Sequence, residues 1–255
     1  MLEQNAEKIL SSLKESDLVL DIGAWAQPFN RANYVIDFMP FETRGLFGSR
    51  GGTRECFTKA TWVQRDICSR EPFPFHDKQF DFVICSHTLE DVRDPIWICQ
   101  EMSRVGKRGY IETPSRLLES TRGVELPTHS GYWHHRWFVE LIDGELIFTA
   151  KFPLIDTHWK YHLPSHVYPK LKENEKFFCY FWQNHFRARE KVFPFQLDGV
   201  TNDYETFVSK HCGWPSYRYR LSKFREWYRD SKVRKKWQPL LGFIEKPIKF
   251  ILKES

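Results

Sequence analysis

Residues 73–95 read FPFHDKQFDFVICSHTLEDVRDP, a turn followed by a short apolar run and the start of a helix. The run at 82–85 has turn-forming residues before it and polar residues after it, which is typical of a fully buried parallel strand. Taken alone, the run could also belong to a buried helix. In open α/β sheets ligands bind at the carboxyl ends of the strands, so the polar residues after the run are candidates for a site.

Three upstream segments, at 17–23, 34–37 and 62–67, also have the composition of buried strands, and each contains an aspartate at or near its end. Downstream, Asp94 and Pro95 cap and open a helix that Gly106 ends, and a further strand is predicted at 108–113. A helix is also predicted over residues 2–14, before the first strand. Strands that alternate with helices in this way predict an α/β fold with a doubly wound, mostly parallel sheet.

From about residue 17 to residue 115 the chain resembles the class I S-adenosylmethionine-dependent methyltransferases, in particular the type 11-like subgroup with the segment PF-x-D-x-x-FD-x-V-x-x-S-H-x-L-E. The resemblance implies a Rossmann-like sheet and S-adenosyl-L-methionine as the cofactor. The chain departs from the family in its first motif, where DIGAWAQPF has Ala24 and Ala26 at positions usually held by glycine. Only residues 24–33, which include Pro28, separate the first two strands, so the usual long helix there must be one short turn or missing.

The resemblance assigns cofactor-binding roles along four strand ends. The methionine part would lie against the first strand end and its turn, the ribose hydroxyls would bind an acid after the second strand, and the adenine would be read by an acid and flanked by an apolar neighbour after the third. The residues concerned are Asp21, Gly23, Ala24, Trp25, Asp37, Asp66 and Ile67, together with Cys85 and Ser86 at the end of the fourth strand. Strand-end acids can also be plain helix or turn caps, and this alternative stays open.

The candidates for catalysis are His87, Asp91, His134 and His135. A histidine after the fourth strand could accept the proton of an attacking hydroxyl, although a lone histidine there is more often a helix cap or a structural contact. Glu90 and Asp91 could hold Mg²⁺, but a solvated helix start is preferred, and no metal ligand is predicted.

The segment THSGYWHHRW at 128–137 supplies the acceptor-side candidates. Adjacent histidines on a strand point to opposite faces, so His134 and His135 are not expected to enter one site together. The histidines lack the helical spacing of a zinc metalloprotease. Tyr132 and Trp133 could stack on a sugar ring.

The second half is predicted from weaker signals. Residues 136–151 read as a hairpin around Asp143-Gly144, either at the edge of the main sheet or inserted beside the site. Aromatic loops are expected after residue 153, then helices from about Tyr204 and Tyr219. The predicted domains are a methyltransferase-like domain at 1–155 and an aromatic-rich, basic, mostly helical extension at 156–255.

Composition narrows the setting of the protein. The chain of 255 residues is 41% hydrophobic, has no apparent export signal, and has six cysteines without C-x-x-C spacing, which suits reduced thiols in the cytoplasm. The net charge is +5, whereas residues 218–255 contain twelve Lys or Arg and four Asp or Glu. The preferred interpretation of this basic tail is a set of helices with a solvated basic face. Peripheral contact with a membrane is the second interpretation, and binding of nucleic acid is the third.

The leading hypothesis is O-methylation of a sugar or glycan-precursor hydroxyl, with a small-molecule or glycan acceptor as the partner. The alternatives are an RNA methyltransferase that uses the basic tail, and a non-catalytic binding module with a methyltransferase fold. A non-catalytic module would explain both the missing glycines and the short connection between the first two strands. The sequence does not predict the oligomeric state.

Overall fold

The computed structural model describes residues 1–193 and 197–212, which form two β-sheets, five α-helices and four short 3-10 helices. The α-helices are α1 (Glu3–Ser12), α2 (Pro95–Val105), α3 (Arg116–Glu119), α4 (Glu173–Lys176) and α5 (Leu197–His211). The strands are β1 (Val19–Ile22), β2 (Tyr34–Asp37), β3 (Trp62–Gln64), β4 (Phe82–Ser86), β5 (Arg108–Pro114), β6 (Trp137–Ile142), β7 (Glu145–Ala150), β8 (Phe177–Gln183) and β9 (Arg187–Lys191).

The main sheet has the strand order β3-β2-β1-β4-β5-β8, and its first five strands are parallel. Every residue of β1 is buried, and β4 is buried up to Ser86 at its end. Strands covered on both faces need apolar side chains on both faces, which is why they read as continuous apolar runs. The predicted α/β class and mostly parallel sheet are confirmed.

Two helices cover opposite faces of this sheet. On one face α2 contributes Ile98 and Met102 to the largest buried cluster, and on the other α1 contributes Ala6 and Ile9. The helix α2 begins as predicted, because the Asp94 carboxylate accepts a hydrogen bond from the backbone N–H of Trp97 at 3.1 Å. Because β1, β2, β4 and β5 run parallel, their carboxyl ends lie side by side at one end of the sheet.

The connection between β1 and β2 is made of turns and has no helix, as the sequence predicts. The buried carboxylate of Asp21 accepts a hydrogen bond from the backbone N–H of Phe29 at 2.8 Å, which holds this connection against the strand it leaves. The side-chain oxygen of Asn33 likewise accepts from the N–H of Val19 at 2.9 Å. Side-chain oxygens thus satisfy backbone N–H groups both in this connection and at the start of β1.

A second, three-stranded sheet has the order β6-β7-β9. The predicted hairpin is present as β6 and β7, and its turn residues Asp143 and Gly144 have φ angles of +51° and +80°. Positive φ at both central residues matches the right-handed twist of the strands, which favours Asp-Gly here. The hairpin lies in this separate sheet and does not form the edge of the main one.

The structure differs from the sequence analysis after residue 153. Strands β8 and β9 occupy a region expected to form aromatic loops, and α5 begins before Tyr204. Strand β8 pairs antiparallel with β5 along its whole length, so it depends on a partner that is distant in sequence. It has only one buried residue, and local periodicity gives little signal for such a strand. The division of the chain at residue 155 stays a prediction.

The helix from about Tyr219 and the basic tail lie within 213–255, outside the described residues. In the part of the chain that is described, no helix has the length and apolar character needed to span a bilayer.

Candidate active site

A cavity of about 1000 Å³ opens where the main sheet's parallel strands end. Most of the predicted site residues line it, although they come from segments spread over more than a hundred residues. Those that line it are Gly23, Trp25, Asp37, Asp66, Ile67, Ser86, His87, Asp91, His134 and His135. The topology therefore unites the residues predicted for the cofactor with those predicted for the acceptor.

Three predicted cofactor residues, Asp21, Ala24 and Cys85, do not line the cavity and are buried. Burial raises the pKa of Asp21 to about 7, against the opposing effect of the hydrogen bond from Phe29. Burial also raises the pKa of the Cys85 thiol. Asp21 holds the turn behind the cavity and Cys85 belongs to the core, so a cofactor role for these residues stays a prediction.

Gly23 is required by the fold itself. Its φ angle is +69°, and a Cβ atom at this position would lie 2.3 Å from the side chain of Thr88. The hydroxyl of Thr88 donates a hydrogen bond to the carbonyl oxygen of Gly23 at 3.2 Å. Close packing between the ends of β1 and β4 therefore explains this glycine without reference to a cofactor.

Asp37, at the end of β2, has a carboxylate that is held by two backbone groups. One oxygen accepts from the N–H of Trp25 at 2.8 Å and the other from the N–H of Met39 at 2.7 Å. Burial raises the pKa of Asp37, and the two N–H groups oppose that shift. Each oxygen keeps a further acceptor site, so the side chain is fixed in orientation and can still bind a ligand.

Asp66, after β3, is more open and is tied to Arg93. Its carboxylate accepts hydrogen bonds from the N–H of Cys68 at 2.9 Å and from the Arg93 guanidinium. The Cys68 N–H, followed by the Arg93 side chain, lowers the pKa of Asp66 despite some burial. The neighbouring Ile67 lines the same cavity.

These residues fit the cofactor that the fold implies. Ionised Asp37 can accept hydrogen bonds from a pair of hydroxyls, because both of its oxygens retain acceptor capacity. Asp66 can accept from an amino group, with Ile67 beside it as an apolar surface. The cavity is also large enough for a ligand of this size together with an acceptor.

His87 lies between two buried carboxylates. Its Nε2 is 3.0 Å from Oε1 of Glu112, and its Nδ1 is 3.5 Å from Oε1 of Glu90. Burial alone would lower the histidine pKa, but the two acids raise it to about 9. The pKa of Glu112, which burial alone would raise, is lowered to about 2 by His87 and its other partners. An imidazolium cannot accept a proton, so this environment does not favour His87 as a base.

His134 and His135 enter the same cavity, which corrects the expectation that they would not. They lie in a turn before β6, not on a strand, so alternation does not apply, and their ring centroids are 4.5 Å apart. Nδ1 of His135 is 2.8 Å from Oε1 of Glu119. Burial alone would lower the pKa of His135, but the hydrogen bond and charge of Glu119 raise it. The Nε2 atoms of both histidines lie 3.8 Å from Oδ1 of Asp91.

The acids behind these histidines were not predicted from the sequence. Glu112 and Glu119 are completely buried, and Glu119 also bonds the Lys151 ammonium. An acid within the predicted strand 108–113 was a signal for Glu112. Glu119 lies in a short helix without a motif, and no local feature distinguished it. Phe38 and Phe47, which are 67% and 70% exposed at the cavity, were not among the predicted site residues.

The strand order, the buried parallel strands and a cavity at their carboxyl ends with acids after β2 and β3 define a class I methyltransferase fold. The family model for MetW, the methionine biosynthesis protein, matches residues 3–167. The chain therefore belongs to the MetW family.

Comparison with other proteins gives more distant similarities. A comparison with curated proteins finds no match. Among solved structures, a SAM-dependent methyltransferase from Aquifex aeolicus is 20% identical with a TM-score of 0.30, and 44% of this chain and 64% of that chain are covered. A chain from the complex between the Trm112 methyltransferase activator of Haloferax volcanii and a methyltransferase is 17% identical with a TM-score of 0.31, and 43% of this chain and 51% of that chain are covered. The YcgJ protein from Bacillus subtilis is 18% identical with a TM-score of 0.29, and 45% of this chain and 52% of that chain are covered. The chain thus spans about half to two thirds of their lengths.

Proposed function

We propose that this protein binds S-adenosyl-L-methionine in the cavity and methylates a hydroxyl of a small-molecule or glycan acceptor, with a sugar or glycan precursor preferred. The observation that carries the proposal is that one cavity is lined both by residues that suit the cofactor and by residues that suit the acceptor. Asp37 and Asp66 suit a nucleoside, while Asp91, His134 and His135 suit the deprotonation or binding of a hydroxyl.

The cofactor would supply an electrophilic methyl group on a sulfonium. Asp37 would hold the ribose hydroxyls, and its fixed orientation limits the entropy lost on binding. Asp66 and Ile67 would hold the adenine. Because methyl transfer is an in-line displacement, the main contribution of the protein is the alignment of donor and acceptor.

The acceptor hydroxyl must lose its proton as it is methylated. His135 is oriented by Glu119 through Nδ1, which leaves Nε2 directed toward Asp91 in the cavity. An acid that fixes the tautomer of a histidine is the arrangement seen in general-base catalysis. The exposed ring of Trp133, close to His134, offers a stacking surface for a sugar.

The test is calorimetric titration of the purified protein with S-adenosylmethionine and S-adenosylhomocysteine. The Asp37→Ala variant is expected to lose at least about tenfold in affinity, since a charge-assisted pair of hydrogen bonds contributes roughly 1.5–3 kcal/mol each. Asp77→Ala is the matched control, because that aspartate is exposed and lies outside the cavity. Saturable binding that only Asp37→Ala weakens supports the proposal, whereas an absence of binding at millimolar ligand contradicts it.

One observation favours the non-catalytic module as a second candidate. Thr88 packs directly onto Gly23, and the turn that follows β1 is already bonded to Asp37 through Trp25. The first motif is therefore satisfied by the protein's own groups. This candidate predicts that neither ligand binds and that Asp37→Ala loses stability only, which the same titration and a thermal melt distinguish.

A further inference from the structure

Asp91, His134 and His135 have the geometry of a metal site. Each offers one ligand atom, and these three atoms lie within 4.8 Å of one another. Oδ1 of Asp91 is 3.8 Å from Nε2 of each histidine. Metal–ligand bonds of about 2.0–2.2 Å place the ligand atoms of a tetrahedral zinc site about 3.4 Å apart, so small rotations of these side chains would complete the geometry.

The groups around the three residues also match what a metal site needs. Nδ1 of His135 is bonded to Glu119, which leaves Nε2 as the atom available for a metal. A carboxylate that orients a metal-binding histidine through its other nitrogen is a common outer-shell partner in zinc sites. Lys151 in turn holds Glu119 in place.

A buried carboxylate beside the cluster gives an independent indication. Glu90 is 1% exposed and lines the cavity, yet neither of its side-chain oxygens has a hydrogen-bond partner within the described residues. Oε1 of Glu90 lies 3.5 Å from Nδ1 of His87, an ion-pair contact that is not a hydrogen bond. A buried acid without hydrogen bonds is costly unless a further positive group or a bound water lies near it. A cation at the adjacent Asp91, with its coordinated water, would provide both.

We propose that Asp91, His134 and His135 bind a divalent transition-metal ion of the zinc class, with at least one coordination position open toward the cavity. Two imidazoles and one carboxylate favour Zn²⁺ or Fe²⁺ over Mg²⁺, which takes oxygen ligands. An open position is the mark of a site that binds a substrate atom, here an oxygen of the acceptor. Under this assignment the two histidines are ligands and act on the acceptor only through the metal.

The experiment titrates Co²⁺ into protein that has been treated with a chelator and dialysed, and it follows the visible d–d absorption. One Co²⁺ per chain is expected, displaced by Zn²⁺. Asp91→Asn and His134→Gln alter exposed residues, so both variants should fold. Each is expected to lower the affinity for Co²⁺ by about 100-fold or more, which exceeds the effect of losing an outer-shell partner. Glu119→Gln keeps all three ligands and is expected to lower it by about 10- to 100-fold. His76→Gln removes an exposed histidine outside the cavity and should change nothing.

No d–d absorption in the parent protein would overturn the proposal. So would absorption that Asp91→Asn and His134→Gln leave unchanged, since the metal would then lie elsewhere on the chain. Circular dichroism of each variant checks folding, and His135→Gln is used only if it passes that check. Because these titrations contain no S-adenosylmethionine, the metal site can fail or succeed independently of the proposed methyl transfer.

Discussion

The two halves of the cavity are held in place by different interactions. In the cofactor half, backbone N–H groups fix Asp21 and Asp37, and their donors lie within about a dozen residues along the chain. In the acceptor half, charged side chains join distant segments, as Lys151 does with Glu119. The difference shows that one half is encoded locally by the strand–turn pattern, whereas the other depends on the tertiary fold.

The largest effect is expected from Lys151→Met in the acceptor half. This substitution leaves Glu119 buried with one partner fewer and removes the hydrogen bond from the ammonium to the carbonyl oxygen of Tyr132, which is 2.7 Å long. Breaking a buried ion pair costs about 3–5 kcal/mol in the free energy of unfolding. Urea denaturation measures the loss.

The matched control is Lys107→Met, which removes an exposed ion pair with Asp81. Exposed pairs contribute about 0–1 kcal/mol, so this variant should be nearly as stable as the parent. Equal losses for the two lysines would show that the acceptor half is not held by buried charge.

Gly23→Ala should be the most damaging small change in the cofactor half. The positive φ angle is expected to cost about 1 kcal/mol, and the 2.3 Å approach of a Cβ atom to Thr88 about 1–3 kcal/mol. A total of about 2–4 kcal/mol is therefore expected. Gly48→Ala is the control, since Gly48 has a φ angle of +78° but no atom within 4 Å of the added Cβ. It should lose about 1 kcal/mol, by strain alone. Denaturation curves that coincide would rule out the packing explanation.

The same contrast explains how much the sequence could predict. The strands from β1 to β5, the helix α2 and its cap at Asp94 follow from apolar runs and capping residues that lie next to each other. Strand β8 exists because β5 offers it an edge, and the partners of His135 come from other segments. Such pairings leave no periodic signal in one segment. This is also why the two histidines were expected on a strand rather than together in a turn.

Asp21→Asn tests whether the buried, ionised carboxylate of Asp21 lowers the stability of the fold. The pKa of Asp21 is raised from 3.8 to about 7, so between these values the folded protein binds more protons than the unfolded chain. The stability of the parent therefore falls as the pH rises through this range. Asparagine keeps an oxygen to accept from the Phe29 N–H and cannot ionise. The variant should be more stable by up to about 4 kcal/mol at pH 8, and the gain should vanish near pH 4. A gain that is equal at both pH values would contradict the assignment.

His87→Gln gives the smallest effect and lies at the boundary between the two halves. Because the pKa of His87 rises from 6.5 to about 9 on folding, its contribution to stability is complete below pH 6.5 and is lost as the pH rises through 9. The side chain is 36% exposed, so solvent screening reduces the contribution to about 1 kcal/mol. Denaturation at pH 6 and pH 9.5 should show the parent losing this amount relative to the variant, whose glutamine has no charge to lose. If the difference between the two proteins is the same at both pH values, His87 is neutral between Glu90 and Glu112, and it returns as a candidate base for the acceptor hydroxyl.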